Sequence, residues 1–287
     1  MENRAMRLFA FLMLCLSLVA FCPADAQTLD QKAQALIAAY PDHLASFDGA
    51  NLLWKDGTKM PFGEERADKP LQELIERPDI ADMFHWPYVF GGAALPVKAE
   101  ADPGRVRNEA FFAKMYGACE KRPAGSCASV SCKPAAPVRR VTWVPKFGGG
   151  AMQAATVNGV ADKLKAVAVE LEALGPAYAK YLVPDGGSHV PRCIARTTRL
   201  SVHSFGIAFD INPEHGGYWQ YGLPRAMDEA AVREKGIALV YRNKVPPEIV
   251  RVFEKHGFIW GGSWYHFDGM HFEYRPEFLA LKAIMEK

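Results

Sequence analysis

His203 and Asp210 stand in the string Ser201-Val-His-Ser-Phe-Gly-Ile-Ala-Phe-Asp-Ile-Asn212, and both side chains are of types that ligate metals. On a continuous strand, residues seven apart point to opposite faces. Gly206 permits a turn after His203, and a strand from Ile207 then sets Ile207, Phe209 and Ile211 on one face and Ala208, Asp210 and Asn212 on the other. A loop histidine and a strand aspartate thereby converge. A second string, Trp260-Gly-Gly-Ser-Trp-Tyr-His-Phe-Asp-Gly-Met-His-Phe-Glu273, supplies Asp268 and His271, with His266 and Glu273 close by. Two imidazoles and one carboxylate suffice for a catalytic zinc site, which keeps a position open for water. The expected ligands are therefore His203, Asp210 and His271, holding one Zn2+. Asp268 precedes His271 by three residues across Gly269, where it can act as general base without coordinating. Glu273 shares strand parity with His271, which suits a partner that fixes the imidazole tautomer, and it is the second choice for the base. His266 stays outside the expected set. Trp260, Trp264, Tyr265 and Phe267 either line a groove or pack in the core.

The elements that position these residues are read from periodicity and punctuation. Val160, Leu164, Val167, Leu171 and Leu174 lie on one helical face that Gly175-Pro176 stops. Pro246-Pro247 opens a second helix that Gly257 closes, and Pro276 opens a third that runs to the C-terminus. Short strand-like runs occur at 190–195, 207–211, 239–241, 258–260 and 271–274. Helices and short strands in this order, without regular βαβ units, predict an α+β fold with a small, mainly antiparallel sheet flanked by helices. Residues 27–150 are expected to form a loop-rich N-terminal region with one helical stretch near 29–39, packed on the C-terminal part of the chain. Gly148-Gly149-Gly150 is read as the boundary to the domain at 151–287.

The chain has 287 residues, 49% of them hydrophobic, enough to bury a sizeable core. A formal net charge of +2 gives no basic field to recruit nucleic acid as the main partner. Residues 1–26 carry Arg4 and Arg7, an apolar run from Leu8 to Phe21 and then Ala24-Asp25-Ala26, the order of a secretory signal. That run of 14 residues is too short to cross a hydrocarbon core, which needs about 20 helical residues. The expected mature protein is periplasmic or secreted, monomeric and free of stable membrane insertion. A retained anchor or a lipid on Cys22 is the competing reading, and bulky Phe21 disfavours the latter. Past the leader stand Cys119, Cys127, Cys132 and Cys193, an even set in an oxidising compartment. With no Cys-x2-Cys pair, a local disulfide fits better than a metal knuckle, and the pairing stays open.

Ser201-x-His203-x2-Gly206-x-Ala208-x-Asp210, with Asp268-x-Met270-His271-Phe272-Glu273 downstream, resembles the zinc D-alanyl-D-alanine carboxypeptidase and L-alanyl-D-glutamate endopeptidase family of peptidoglycan peptidases. The resemblance spans about residues 155–278 and includes Phe258-Ile-Trp-Gly-Gly262 and Phe272-Glu-Tyr-Arg-Pro276; Asn51 to Pro61 is similar to N-terminal regions of secreted bacterial members. It implies a Hedgehog/DD-peptidase-like fold, zinc on His203, Asp210 and His271, Asp268 as the catalytic carboxylate, and the peptide stem of peptidoglycan as substrate. It also implies an arginine that holds substrate and the developing oxyanion, a position that falls best on Arg192, with Arg196 and Arg199 as alternatives. Arg196 departs from the pattern, standing where relatives commonly have glycine. A non-catalytic wall-binding module on the same fold is the competing function. The leader reading predicts that protein recovered from an exporting host begins at Gln27 in an intact-mass measurement; a retained leader, or a lipid mass on Cys22, overturns it.

Overall fold

The structure, a computed structural model, describes residues 27–287 except 65, 67, 93–98, 124–126, 133–136 and 225–226; the expected leader lies outside the described residues. In chain order the first elements are α1 (Leu29–Ala39), strands β1 (Leu44–Phe47), β2 (Asn51–Trp54) and β3 (Lys59–Pro61), α2 (Leu71–Glu76) and α3 (Glu109–Tyr116). Two hairpins come next, β4 (Cys119–Arg122) with β5 (Ser129–Cys132) and β6 (Val138–Thr142) with β7 (Ala151–Ala155). The rest of the chain forms α4 (Val160–Ala173), α5 (Ala179–Leu182), β8 (Ala208–Asp210), α6 (Pro213–Gly216), α7 (Glu229–Glu234), α8 (Pro247–Lys255), β9 (Phe258–Trp260), β10 (His271–Tyr274) and α9 (Pro276–Met285). Among the described residues no helix is long and apolar enough to cross a membrane.

The expected α+β class holds, with every strand pairing antiparallel. The helices read from periodicity appear where their punctuation puts them. Thr28 closes a capping box with Gln31 at the start of α1. Pro247 and Pro276 occupy the first positions of α8 and α9, where the missing N–H costs nothing.

Two expected strands are absent. Residues 190–195 form an irregular loop with an isolated β-bridge from Cys193 to Leu200, and 239–241 run as coil beside a satellite cluster of Trp219, Val232 and Phe267. Both runs are β-branched or apolar over a few residues, a pattern a packed loop also satisfies.

The N-terminal half is more regular than expected. Asn51 to Pro61 folds as the β2–β3 pair of a three-stranded sheet. The glycine run at 148–150 is the loop of the β6–β7 hairpin, closed by the Trp143 N–H donating to the Gly150 carbonyl at 3.0 Å. It turns the chain between paired strands, and one core runs without interruption from Ala33 to Leu281. Tyr40 at the end of α1 donates its hydroxyl to Glu277 of α9 at 2.7 Å, and the Phe112 ring of α3 stacks on Phe205 at 6.0 Å. Cys119 pairs with Cys132 and Cys127 with Cys193, one local bridge as expected and one that ties the N-terminal half to the loop at 190–195.

The sheet that matters for chemistry has the order β8-β10-β9. Its centre strand places His271 opposite Asp210, Phe272 between Phe209 and Trp260, and Glu273 opposite Ala208. Alternation sends His271 and Glu273 to one face and Phe272 to the other. There Phe272 stacks on Phe253 of α8 with centroids 3.8 Å apart. Phe253 is fully buried, so Phe253→Ala removes a ring from the layer that supports the sheet. The expected cost is about 3–5 kcal/mol in a urea melt of the purified protein; a loss under about 1 kcal/mol contradicts this packing account.

Candidate active site

Ser201 accepts from the His203 N–H and so caps a tight 3-10 turn over Val202–Phe205. Gly206 ends that turn at φ 68°, in the left-handed region. A Cβ there would sit 2.9 Å from Val138 Cγ1 and 3.1 Å from Ala155 N, so both conformation and close approach require glycine. The turn swings His203 back over β8 and brings it to Asp210. Gly269 does the same for the second string: a Cβ there would lie 1.6 Å from the Gly216 carbonyl oxygen. Trp260 is core, its Nε1–H donating to the Gly269 carbonyl at 2.8 Å, and it pins the loop that carries Asp268.

One ligand atom from each of His203, Asp210 and His271 lies within 4.8 Å of the other two. The tautomers are set from outside. The Ser188 carbonyl can only accept, so His203 Nδ1, 2.7 Å away, carries the proton and Nε2 presents a lone pair. That Nε2 is buried and faces Asp210 Oδ2 at 3.3 Å. His271 Nε2 lies 3.1 Å from Glu273, and its Nδ1 lies 3.0 Å from Asp210. Glu273 is fully buried, with Arg107 and Arg275 on its oxygens. Burial alone would raise its pKa, but Arg107, the His271 hydrogen bond and Arg275 hold it well below the carboxylate range. An ionised Glu273 can only accept, so Nε2 carries the proton and Nδ1 is left facing Asp210. Glu273 is thus the expected tautomer-fixing partner, and its saturated oxygens disqualify it as a base.

The charges point to a cation. Burial would lower the His271 pKa, yet hydrogen bonds with Asp210 and Glu273 push it up to about 9. Burial would raise the Asp210 pKa, but the His203 and His271 imidazoles hold it far below its usual range. His203 Nε2, His271 Nδ1, where a proton holds the place a metal would take, and the ionised Asp210 form a donor set that zinc fits.

Asp268 faces the same cleft, a space of about 230 Å³, with Oδ1 shielded from solvent and without a partner. Burial raises its pKa to about 7, reinforced by Asp210 and opposed by His271, Arg105 and Arg192. Arg192 lines the cleft from its rim with an exposed guanidinium, while its backbone is bonded both ways to the Ser204 hydroxyl at 3.0 and 2.9 Å. Arg196 adopts φ 64°, the conformation that glycine favours, and its guanidinium donates to the Met227 carbonyl at 2.7 Å, away from the cleft. Arg199 pairs with Glu229 and lies in a neighbouring depression. Of the four aromatics, Trp264 alone lines the cleft; Trp260 and Phe267 are core, and Tyr265 is half-buried beside the cleft.

The cleft also takes Arg105 and Arg107 from the N-terminal half, and Tyr218 and Trp219. None of these is among the residues expected from sequence. The segment 101–108 carries no periodicity, and its arginines differ in no way from exposed ones in the sequence. Tyr218-Trp219 is the available signal, two adjacent aromatics in a glycine-flanked loop.

A carboxyl raised toward neutrality by burial, set beside a His/Asp/His donor group in a cleft, is an arrangement suited to hydrolysis. Residues 195–274 match the family model described as D-alanyl-D-alanine carboxypeptidase, a narrower span than the resemblance suggested. That segment contains His203, Asp210, Asp268 and His271 and is similar to this peptidase family. No curated protein and no solved structure matches the chain.

Arg105 ties the cleft wall together through Asp102 and Glu229. Burial would raise the Glu229 pKa, but Arg105 and Arg199 carry it down to about 2. The folded value lies below the unfolded one near 4.3, so this stabilisation is complete above about pH 5 and is lost as pH falls toward 2, up to about 3 kcal/mol. Glu229→Gln is therefore expected to be less stable than wild type near neutral pH. In urea melts across that window the gap should close as pH falls; a pH-independent gap refutes the assignment.

Proposed function

We propose that the protein is a zinc-dependent peptidase, exported from the cytoplasm, that hydrolyses an amide bond in the peptide stem of bacterial peptidoglycan. The observation that carries this reading is the buried, unpartnered Asp268 Oδ1 on the cleft shared by His203, Asp210 and His271. The family description and the leader-like N-terminus support the substrate and the compartment.

His203, Asp210 and His271 would hold the ion, which when bound supplies Lewis-acid activation of water and of the scissile carbonyl. Asp268 does the proton work. A carboxyl with a pKa of about 7 both accepts and releases a proton at working pH, so Oδ1 takes a proton from the attacking water and returns it to the leaving amine. Arg192 reaches in from the rim, where its planar guanidinium suits a carboxylate or an oxyanion. Trp264, buried with its Nε1–H donating to the Pro103 carbonyl, walls the cleft beside His271.

Asp268→Ala is expected to lower kcat by about 10²–10⁴-fold while bound zinc, read by elemental mass spectrometry, stays stoichiometric. His271→Ala is expected to lose both metal and activity. Loss of zinc from the Asp268 variant would make that residue a ligand. Mass spectrometry of peptidoglycan digested by the mature protein tests the substrate: terminal D-Ala released with zinc and not with a chelator marks a carboxypeptidase, and cleavage between L-Ala and D-Glu an endopeptidase. Wall binding with no cleavage replaces the enzyme with a binding module.

A further inference from the structure

Arg192 stands on a rim that is fastened to the N-terminal half from both sides. Its backbone roots a short hairpin: the Ser201 N–H donates to the Arg192 carbonyl at 3.0 Å, Cys193 pairs with Leu200 in an isolated β-bridge, and the Ile194 N–H donates to the Arg199 carbonyl at 3.0 Å. The returning arm is tied by the Leu200 N–H, which donates at 2.9 Å to Glu109 of α3. The outgoing arm is tied covalently, from Cys193 to Cys127 in the loop between β4 and β5. That anchor is itself fixed, since Cys119–Cys132 closes the β4–β5 hairpin and Lys121 of β4 pairs with Glu109 at 3.0 Å.

The bridge bears on the arginine of the rim that turns to the cleft. Arg192, Ile194 and Ala195 line the cleft, and Cys193 sits among them in the chain. Among the described residues the exposed Arg192 guanidinium makes one hydrogen bond, Nη1 donating to the Cys193 carbonyl at 3.4 Å. Two bonds with the Ser204 hydroxyl hold the Arg192 backbone, but they do not hold the carbonyl on which the guanidinium rests. Cys127 does, by fixing the residue that carries it. Ordering a loose, rotamer-rich side chain costs a ligand about 0.5–1.5 kcal/mol, and a misplacement of about 1 Å in a positioning group can cost about 10²-fold in rate.

We propose that Cys193, through its bridge to Cys127, is the positioning residue for Arg192 and sets the guanidinium at the cleft before substrate arrives. The proposal rests on the peptidase reading and on Arg192 as its substrate-binding arginine. It also couples substrate binding to compartment. Closing the bridge passes two electrons and two protons from the thiols to the disulfide of an exchange partner, which an oxidising compartment supplies and a thiol-reducing cytosol does not. The rim is therefore completed only after export.

The test is a double-mutant cycle on the zinc-loaded mature protein, with kcat/KM measured on a stem peptide that wild type cuts and normalised to bound zinc. Cys127→Ala with Cys193→Ala removes the bridge, Arg192→Ala removes the guanidinium, and the triple variant removes both. Loss of the bridge is expected to cost about tenfold and loss of Arg192 about 10–100-fold. The triple variant should lie within about threefold of Arg192→Ala, because the bridge then has nothing left to position. Where the bridge-less chain does not fold, a phosphine that opens the bridge in the folded protein, itself oxidised to the phosphine oxide, gives the same comparison between wild type and Arg192→Ala. Equal fold-losses in the two backgrounds, or a bridge-less protein as active as wild type, overturn the proposal and leave the peptidase reading standing. Arg192→Ala as active as wild type does the same. A wild type that cuts no stem peptide removes the peptidase reading and this proposal with it.

Discussion

The site depends on one buried carboxylate. Glu273 has no contact with water and stays ionised because Arg107, from the N-terminal half, and Arg275, two residues along the chain, both reach its oxygens. The consequence is local and specific: His271 keeps a proton on Nε2, and Nδ1 is the nitrogen turned to the ligand cluster. Arg275 is itself held by Glu277 and by the Gly104 carbonyl, and Glu277 by Tyr40 at the end of α1. The orientation of a single imidazole on β10 is thereby linked to the first helix of the protein.

The two strings that form the candidate site are legible in the sequence because they are local. Ser201 to Asn212 contains its own cap, its own left-handed turn and its own strand, so the convergence of His203 with Asp210 can be read from one dozen residues. The Asp268 to Glu273 segment is legible for the same reason, through strand parity and the glycine that lets two backbones touch. Helices with proline starts and glycine stops are readable on equal terms. The loops at 190–195 and 239–241 are not, because a short apolar run packs as well against a core when irregular as when paired.

The long-range half of the cleft is hidden from such reading. Asp102 meets His266 across 164 residues of sequence and Arg107 meets Glu273 across 166. No spacing rule reaches that far, and the segment that supplies these groups is aperiodic. The glycine run at 148–150 misleads for a related reason: glycines mark a turn, and whether the turn joins two domains or two strands depends on partners that lie outside it. Arg196 shows the opposite case. That its position favours glycine is implied by the family resemblance, and the left-handed φ Arg196 adopts agrees with it.

A buried array of charges such as Arg107, Glu273, Arg275 and Glu277 is a poor way to stabilise a fold, since well-packed apolar side chains of similar volume often do as well or better. Its presence at the back of His271 is better explained by what apolar packing cannot do. Leucine or phenylalanine in place of Glu273 would leave the imidazole free to carry its proton on either nitrogen, and one of those two states aims an N–H at the ligand cluster. The same logic holds for Asp102 behind His266, where one ionised acceptor sets both the tilt of the ring and the nitrogen it offers. The N-terminal half therefore does more than cover the sheet. By sending Asp102, Arg105 and Arg107 beneath the two histidines of the second string, it converts flexible rings into groups with one fixed orientation each.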